Sequence, residues 1–263
     1  MKGVFGIFFM LLLAISPAFA QEDYDMNKIT KSVEMENVIF DGKWTFDTEW
    51  KISSSESIKY EDGKQIFLRT AHYEDYIYIM LNFVNDHSLD INSDKATICF
   101  DPDNKRELKP TENDFCFSVT LGKSTGQTFS GESDLINKGF LKRMDNFDGF
   151  IAIASPSDEN DRYNKDPHST YEFRIPIDEI GRTDNYGFFF SVFDANSNKF
   201  YTWPKDLREN VFDIPSPQEW GIIVSPDKSL PELPWNTVIF ASFLILIISL
   251  PITARFLKLE SFR

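Results

Sequence analysis

A hydrophobic period of two runs through most of this chain, and it constrains the fold more than any other feature. Residues 65–71 and 75–83 are apolar-rich runs separated by His72, Tyr73 and Glu74, a spacing suited to a hairpin. Residues 95–101 and 114–121 form a second pair around a polar, proline-containing loop. Further runs at 150–154, 170–175, 186–193, 199–203 and 220–224 complete the series. They favour Ile, Val, Phe, Tyr and Thr, which pack well on a pleated, half-buried surface. Helical patterning is scarce; residues 176–180 supply one turn before Gly181. Short strands with turn signals between them predict an all-β chain folded as an antiparallel β-sandwich. The 26 phenylalanines suit a thick core between two sheets.

The two ends follow other rules. Residues 1–20 carry Lys2, an apolar stretch and Ala18-Phe19-Ala20, the pattern of a secretory signal peptide. Residues 21–36 form an N-terminal lead-in, residues 37–224 the sandwich, and the proline-rich 225–234 a short stalk. Residues 235–254 contain no charge and are long enough to cross about 30 Å of hydrocarbon as a helix. Arg255, Lys258 and Arg263 follow, so residues 255–263 are expected in the cytoplasm and the bulk of the chain outside. The expected product is a single-pass cell-membrane protein with an extracellular N-terminal domain.

With 27 Lys+Arg against 41 Asp+Glu, the surface repels phosphate backbones, so nucleic acid is not an expected partner. Cys99 and Cys116 are the only cysteines and allow one internal disulfide in an exported chain. If the strands at 95–101 and 114–121 pair with residue numbers summing to 215, Ile98 faces Phe117 and Phe100 faces Phe115 on one apolar face. Thr97–Ser118, Cys99–Cys116 and Asp101–Asp114 then occupy a polar face. A slip of two residues preserves the same division. In the first register the cysteines lie opposite one another, within disulfide reach. The like-charged pair Asp101–Asp114 needs neutralising, and Ca²⁺ with oxygens from Asp103 or Asn104 would do so, as would Lys105 or Arg106.

Among the signatures of catalysis, H-E-x-x-H, C-x-x-C and a phosphate-cradling glycine loop are missing. The three histidines, His72, His87 and His168, lack metal-ligand spacing. No enzyme activity is expected. Trp44, Trp50, Trp203 and Trp220 are either core or stacking platforms for sugar rings, and Trp203, before Pro204 at a strand end, is the best platform candidate. The acidic loops at 101–104 and 158–161 are solvated turns or oxygen donors for a hard cation. Met80 is core or a haem ligand.

Motif order then brings a family into view. Ile39-Phe40-Asp41-Gly42-Lys43-Trp44 with Glu49-Trp50 resembles the opening of family-9 carbohydrate-binding modules and their DOMON-like relatives. Residues 67–72 through 76–78 resemble the family's arginine-bearing hairpin, and 96–101 its "Val-Glu-Ile-Phe-Ile-Asp" strand. Residues 186–196, Thr202-Trp203-Pro204 and Glu219-Trp220-Gly221 resemble its closing motifs. The resemblance implies a jelly-roll or DOMON-like sandwich, often calcium-bearing, that holds sugar between two aromatic rings. Carried to this sequence, it points to Trp203, Phe212, Arg69 and His72 as ligand-facing residues. Two positions depart from the pattern: residues 85–95, where the family places one clamp tryptophan, contain no aromatic, and Ser118 stands in place of an arginine. Related DOMON-like domains bind haem b through methionine and lysine, which keeps Met80 in view. Leu230-Pro231-Glu232 before the apolar segment resembles archaeal surface-protein sorting signals.

The sequence therefore predicts a non-catalytic, membrane-anchored protein that binds polysaccharide or another glycan. Two rivals stand beside it: a haem-b electron carrier, and a structural surface protein stabilised by Ca²⁺ at Asp101, Asp103, Asn104 and Asp114.

Overall fold

The computed structural model describes residues 25–28, 30–31, 35, 37–131, 141–205, 207 and 214–225. The expected signal peptide, membrane segment and cytoplasmic tail, and Phe212, lie outside the described residues. Among the described residues no helix is long and apolar enough to cross a membrane.

Two sheets form the architecture. The first orders β1 (Met26–Lys28), β14 (Gly221–Val224), β12 (Asn185–Asp194), β6 (Lys95–Asp101), β7 (Phe115–Thr120), β8 (Gln127–Gly131) and β9 (Leu141–Met144), with β13 (Lys199–Trp203) also paired to β12. The second orders β10 (Ile151–Pro156), β11 (Ser169–Pro176), β5 (Tyr76–Phe83), β4 (Gln65–Tyr73) and β2 (Thr30–Lys31), with β3 (Ser54–Lys59) on β4. Pairing is antiparallel except where β1 meets β14 and β2 meets β4. A single helical turn, α1 (Ile177–Ile180), stops at Gly181, whose φ of 93° ends it.

All nine expected strands are present, and the β6–β7 register is the one whose residue numbers sum to 215. Ile98, Phe100 and Phe117 join Leu68, Ile79, Phe173, Phe188 and Phe190 in the core between the sheets, with Phe115 packed at its margin. Cys99 and Cys116 form a disulfide with Cα atoms 4.1 Å apart. The opposite face of this hairpin is not simply polar. Cys99 and Cys116 are buried with Phe189 and Trp220, and Phe129, Leu141, Leu207 and Ile214 pack against them.

The segment at 39–50 is fixed by two buried carboxylates. Glu172 Oε2 accepts hydrogen bonds from the backbone N–H groups of Asp41 (3.0 Å) and Gly42 (2.7 Å), while Oε1 accepts from Trp50 Nε1 (3.1 Å). Glu49 accepts from the N–H groups of Ile39 and Thr45, both at 2.7 Å. Gly42 has φ 80°, and a Cβ there would sit 2.3 Å from Ser155 Cβ. The Asp-Gly…Glu-Trp pattern is therefore a docking device for this segment against β10 and β11.

Candidate functional site

Of the residues expected to face a ligand, the three described ones, Trp203, Arg69 and His72, do not converge. Trp203 is 2% exposed. Opposite Phe190 in register, it points into the inter-sheet core, with its ring 5.7 Å from that of Phe188. The expected stacking platform is thus core: the alternation that buries Tyr201 buries Trp203 two residues later. Arg69 and His72, of opposite parity on β4, face opposite sides of the sheet. His72 is fully buried, with Nε2 2.6 Å from the Glu74 carbonyl and Nδ1 3.5 Å from Ser225 Oγ. Arg69 lies on the outer face, its guanidinium 4.7 Å from the Trp44 ring and 5.1 Å from Tyr163. Those two rings stack 5.7 Å apart at 8°. Ser118 is buried, its hydroxyl donating to the Ala96 carbonyl and accepting from Thr97 Oγ1.

The expected calcium ligands are mostly committed elsewhere. Asp101 Oδ2 accepts the Arg106 N–H at 2.9 Å, Asp103 pairs with Lys105 at 2.5 Å, and Asp114 Oδ2 accepts from the N–H and hydroxyl of Thr111. Of the four, Asn104 keeps a buried Oδ1 without a hydrogen-bond partner. Burial, with Asp101 nearby, pushes Asp114 up to about 6. Met80 is fully buried with Met35, Ala71, Tyr78, Trp44 and Trp50. Hydrocarbon and indole groups enclose it where a porphyrin face would have to lie, so this methionine does not fit a haem.

A different acidic set does converge. Lys95 pairs with Phe193, which brings Asp94 beside Asp194, and Asp90 completes a trio whose carboxylate oxygens lie within 4.8 Å of one another. Burial pushes Asp94 up to about 6 although it accepts N–H bonds from Asp90 (2.8 Å) and Ala195 (2.9 Å). Asp90 Oδ2 is buried without a partner. Three converging carboxylates and an unfilled oxygen fit a hard cation such as Ca²⁺. Nothing local announces this set, because Asp94 and Asp194 meet only through the β6–β12 pairing.

A cleft of about 520 Å³ opens where the β6–β7 loop meets α1 and the link to β12. Its wall includes Phe115, and its polar lining includes Asp103, Asn113, Asp178, Glu179 and Arg182. Arg182 Nη2 donates to Asp75 at 2.6 Å and to Asp178 at 3.2 Å, which holds it across the rim. The volume suits a small ligand. Carboxylates, an amide and a guanidinium around one aromatic edge accept and donate hydrogen bonds to hydroxyl groups, and the acidic excess disfavours anions.

No family model matches the chain, and no curated protein sequence matches it. Among solved structures it is similar to a carbohydrate-binding module of family 9 from Caldicellulosiruptor kristjanssonii in complex with glucose, with TM-score 0.49 and 12% identity over 80% of this chain and 100% of that one. The same kind of module from that organism in complex with cellotriose gives TM-score 0.46 and 14% identity, again over 80% and 100%.

Proposed function

We propose that this chain is a non-catalytic carbohydrate-binding protein, displayed outside the cell and held by one C-terminal membrane helix. The observation that carries the reading is the polar cleft between the β6–β7 loop and α1. It offers Asp178, Glu179 and Asn113 as partners for vicinal hydroxyls and Phe115 as a wall for the apolar face of a sugar ring. The Cys99–Cys116 disulfide fits an oxidising compartment, in keeping with the signal-peptide pattern. The test is retention of the protein on insoluble polysaccharide and its release by free sugar. Replacing both Asp178 and Glu179 by Ala should weaken retention by about tenfold or more, equivalent to about 1.4 kcal/mol. Asp47→Ala, at an exposed site, serves as the control. Unchanged retention in the double variant would remove the cleft from the assignment.

The acidic trio favours a second reading, a calcium-stabilised structural surface domain. Asp90, Asp94 and Asp194 would hold the ion, tying the turn before β6 to the end of β12.

A further inference from the structure

On the outer face of the second sheet, several buried side chains carry polar atoms that have no hydrogen-bond partner. Asn82 on β5 stands opposite Thr170 on β11, and Arg69 on β4 stands opposite Met80, one row along the same face. His168 precedes Thr170 by two residues and shares its parity. Asn82, Thr170 and His168 are fully buried and Arg69 is 8% exposed. Both amide atoms of Asn82, Thr170 Oγ1, His168 Nε2 and Arg69 Nε make no hydrogen bond, five of the eleven such buried atoms among the described residues. Buried polar atoms left unpaired are costly, so five on one face call for an occupant.

The 157–168 loop covers this face. The Trp44 N–H donates to Asp161 Oδ2 at 3.0 Å, and the Arg162 N–H returns a bond to the Trp44 carbonyl at 2.8 Å. Tyr163 stacks on Trp44 and meets Phe67 edge-on at 5.2 Å, which places an aromatic roof beside Arg69.

The chemistry of the occupant follows from proton positions. His168 Nδ1 lies 2.7 Å from both the Asp166 carbonyl and Ser157 Oγ. The carbonyl has no proton to give, and the Ser157 oxygen, which already takes the His168 backbone N–H, can accept again, so Nδ1 carries the hydrogen. Nε2 of the neutral ring is then an acceptor. The occupant must donate to His168 Nε2 and Asn82 Oδ1, and must accept from Arg69 Nε–H and Asn82 Nδ2–H. An anion fails the first requirement and a cation the second. We propose that Asn82, Thr170, His168 and Arg69 form a covered binding site for neutral hydroxyl oxygen, either ordered water or the hydroxyl of a polyol. The site lies on a different sheet face from the cleft and does not depend on it.

Melting of the full chain tests the site. Asn82→Leu and Thr170→Val should each lower the melting temperature by about 2–4 °C, because each removes a bond to the occupant, while Thr170→Ser retains it. Unchanged or higher melting temperatures in both apolar variants would overturn the proposal, since side chains facing nothing gain by losing their polar atoms. Glucose separates the two sources. A glucose-induced rise confined to the wild type and absent in Thr170→Val identifies a sugar hydroxyl, and an equal response in both identifies water. If the apolar variants fail to fold, diffraction from wild-type crystals decides. Density for an oxygen bridging Asn82 and Thr170 supports the site, and direct packing without it overturns the proposal.

Discussion

Asp114 gives the sharpest quantitative consequence of the fold. It is 4% exposed at the mouth of the β6–β7 hairpin, one step beyond the Phe100–Phe115 pair and facing Asp101. Burial is the main reason its carboxyl rises from 3.8 to about 6, and Asp101 adds to it. Between about pH 4 and 6 the folded chain holds a proton that the unfolded chain has released. Stability from this group therefore falls as pH rises through that window and levels off above it. The whole interval corresponds to about 3 kcal/mol. Asp114→Asn removes the charge but keeps an oxygen for the Thr111 N–H, now 2.5 Å away. At pH 7 the variant should be more stable by about 1–3 kcal/mol, raising the melting temperature by about 2–10 °C. At pH 4 the advantage should vanish. Melts of wild type and variant from pH 4 to 7 give the answer, because only the difference between the two curves belongs to Asp114. A variant less stable at pH 7, or two parallel pH curves, would refute the reasoning.

Three further outcomes are expected. Replacing Cys99 and Cys116 by Ser should cost about 3 kcal/mol through the closed loop they define, and thiol titration of the unreduced exported protein should find no reactive thiol. Ca²⁺ at about a hundred times its dissociation constant should stabilise the wild type by about 2.7 kcal/mol. EDTA should reverse this and Asp94→Asn should abolish it, with the effect fading below about pH 6 as Asp94 takes up its proton; a melt that ignores EDTA at pH 7 counts against the trio. Gly42→Ala should cost about 2 kcal/mol or more, since its Cβ meets Ser155 at 2.3 Å in a left-handed backbone, and a neutral result by urea unfolding would show that the segment shifts freely.

The sheets were legible wherever apolar residues alternate or crowd. β6 and β13 have the bounds read from the sequence. Placing Ile98, Phe100, Phe115 and Phe117 on one face limits the register to steps of two, of which the structure adopts the one that sets Cys99 opposite Cys116. β3, β8 and β9 escaped notice because serine, glutamine, lysine and arginine dilute their pattern, as in Ser-Ser-Glu-Ser-Ile-Lys. The lead-in hid β1 and β2 for the related reason that two- and three-residue edge strands carry no period. Site residues were harder. Pro204 after Trp203 suggested an exposed strand end, whereas parity with Tyr201 was the signal that pointed inward. Arg69, Trp44 and Tyr163 meet across three separate stretches of chain, and Asp94 meets Asp194 across a hundred residues. Such contacts are decided by which strands become neighbours, information that no local pattern holds.

The parallel alignment of β1 with β14 also bears on how the domain carries load. β14, which ends at Val224, is held on one side by β12 and on the other by β1. Ser225 adds clips to the Asp184 carbonyl, at 2.7 Å, and to His72 of the opposite sheet. Hydrogen bonds of an antiparallel ladder lie across the strand, so tension applied at this end strains them together instead of opening them one by one. A tether at the C-terminal side would pull β14 in shear, the direction in which its ladders with β12 and β1 share the force within the first sheet.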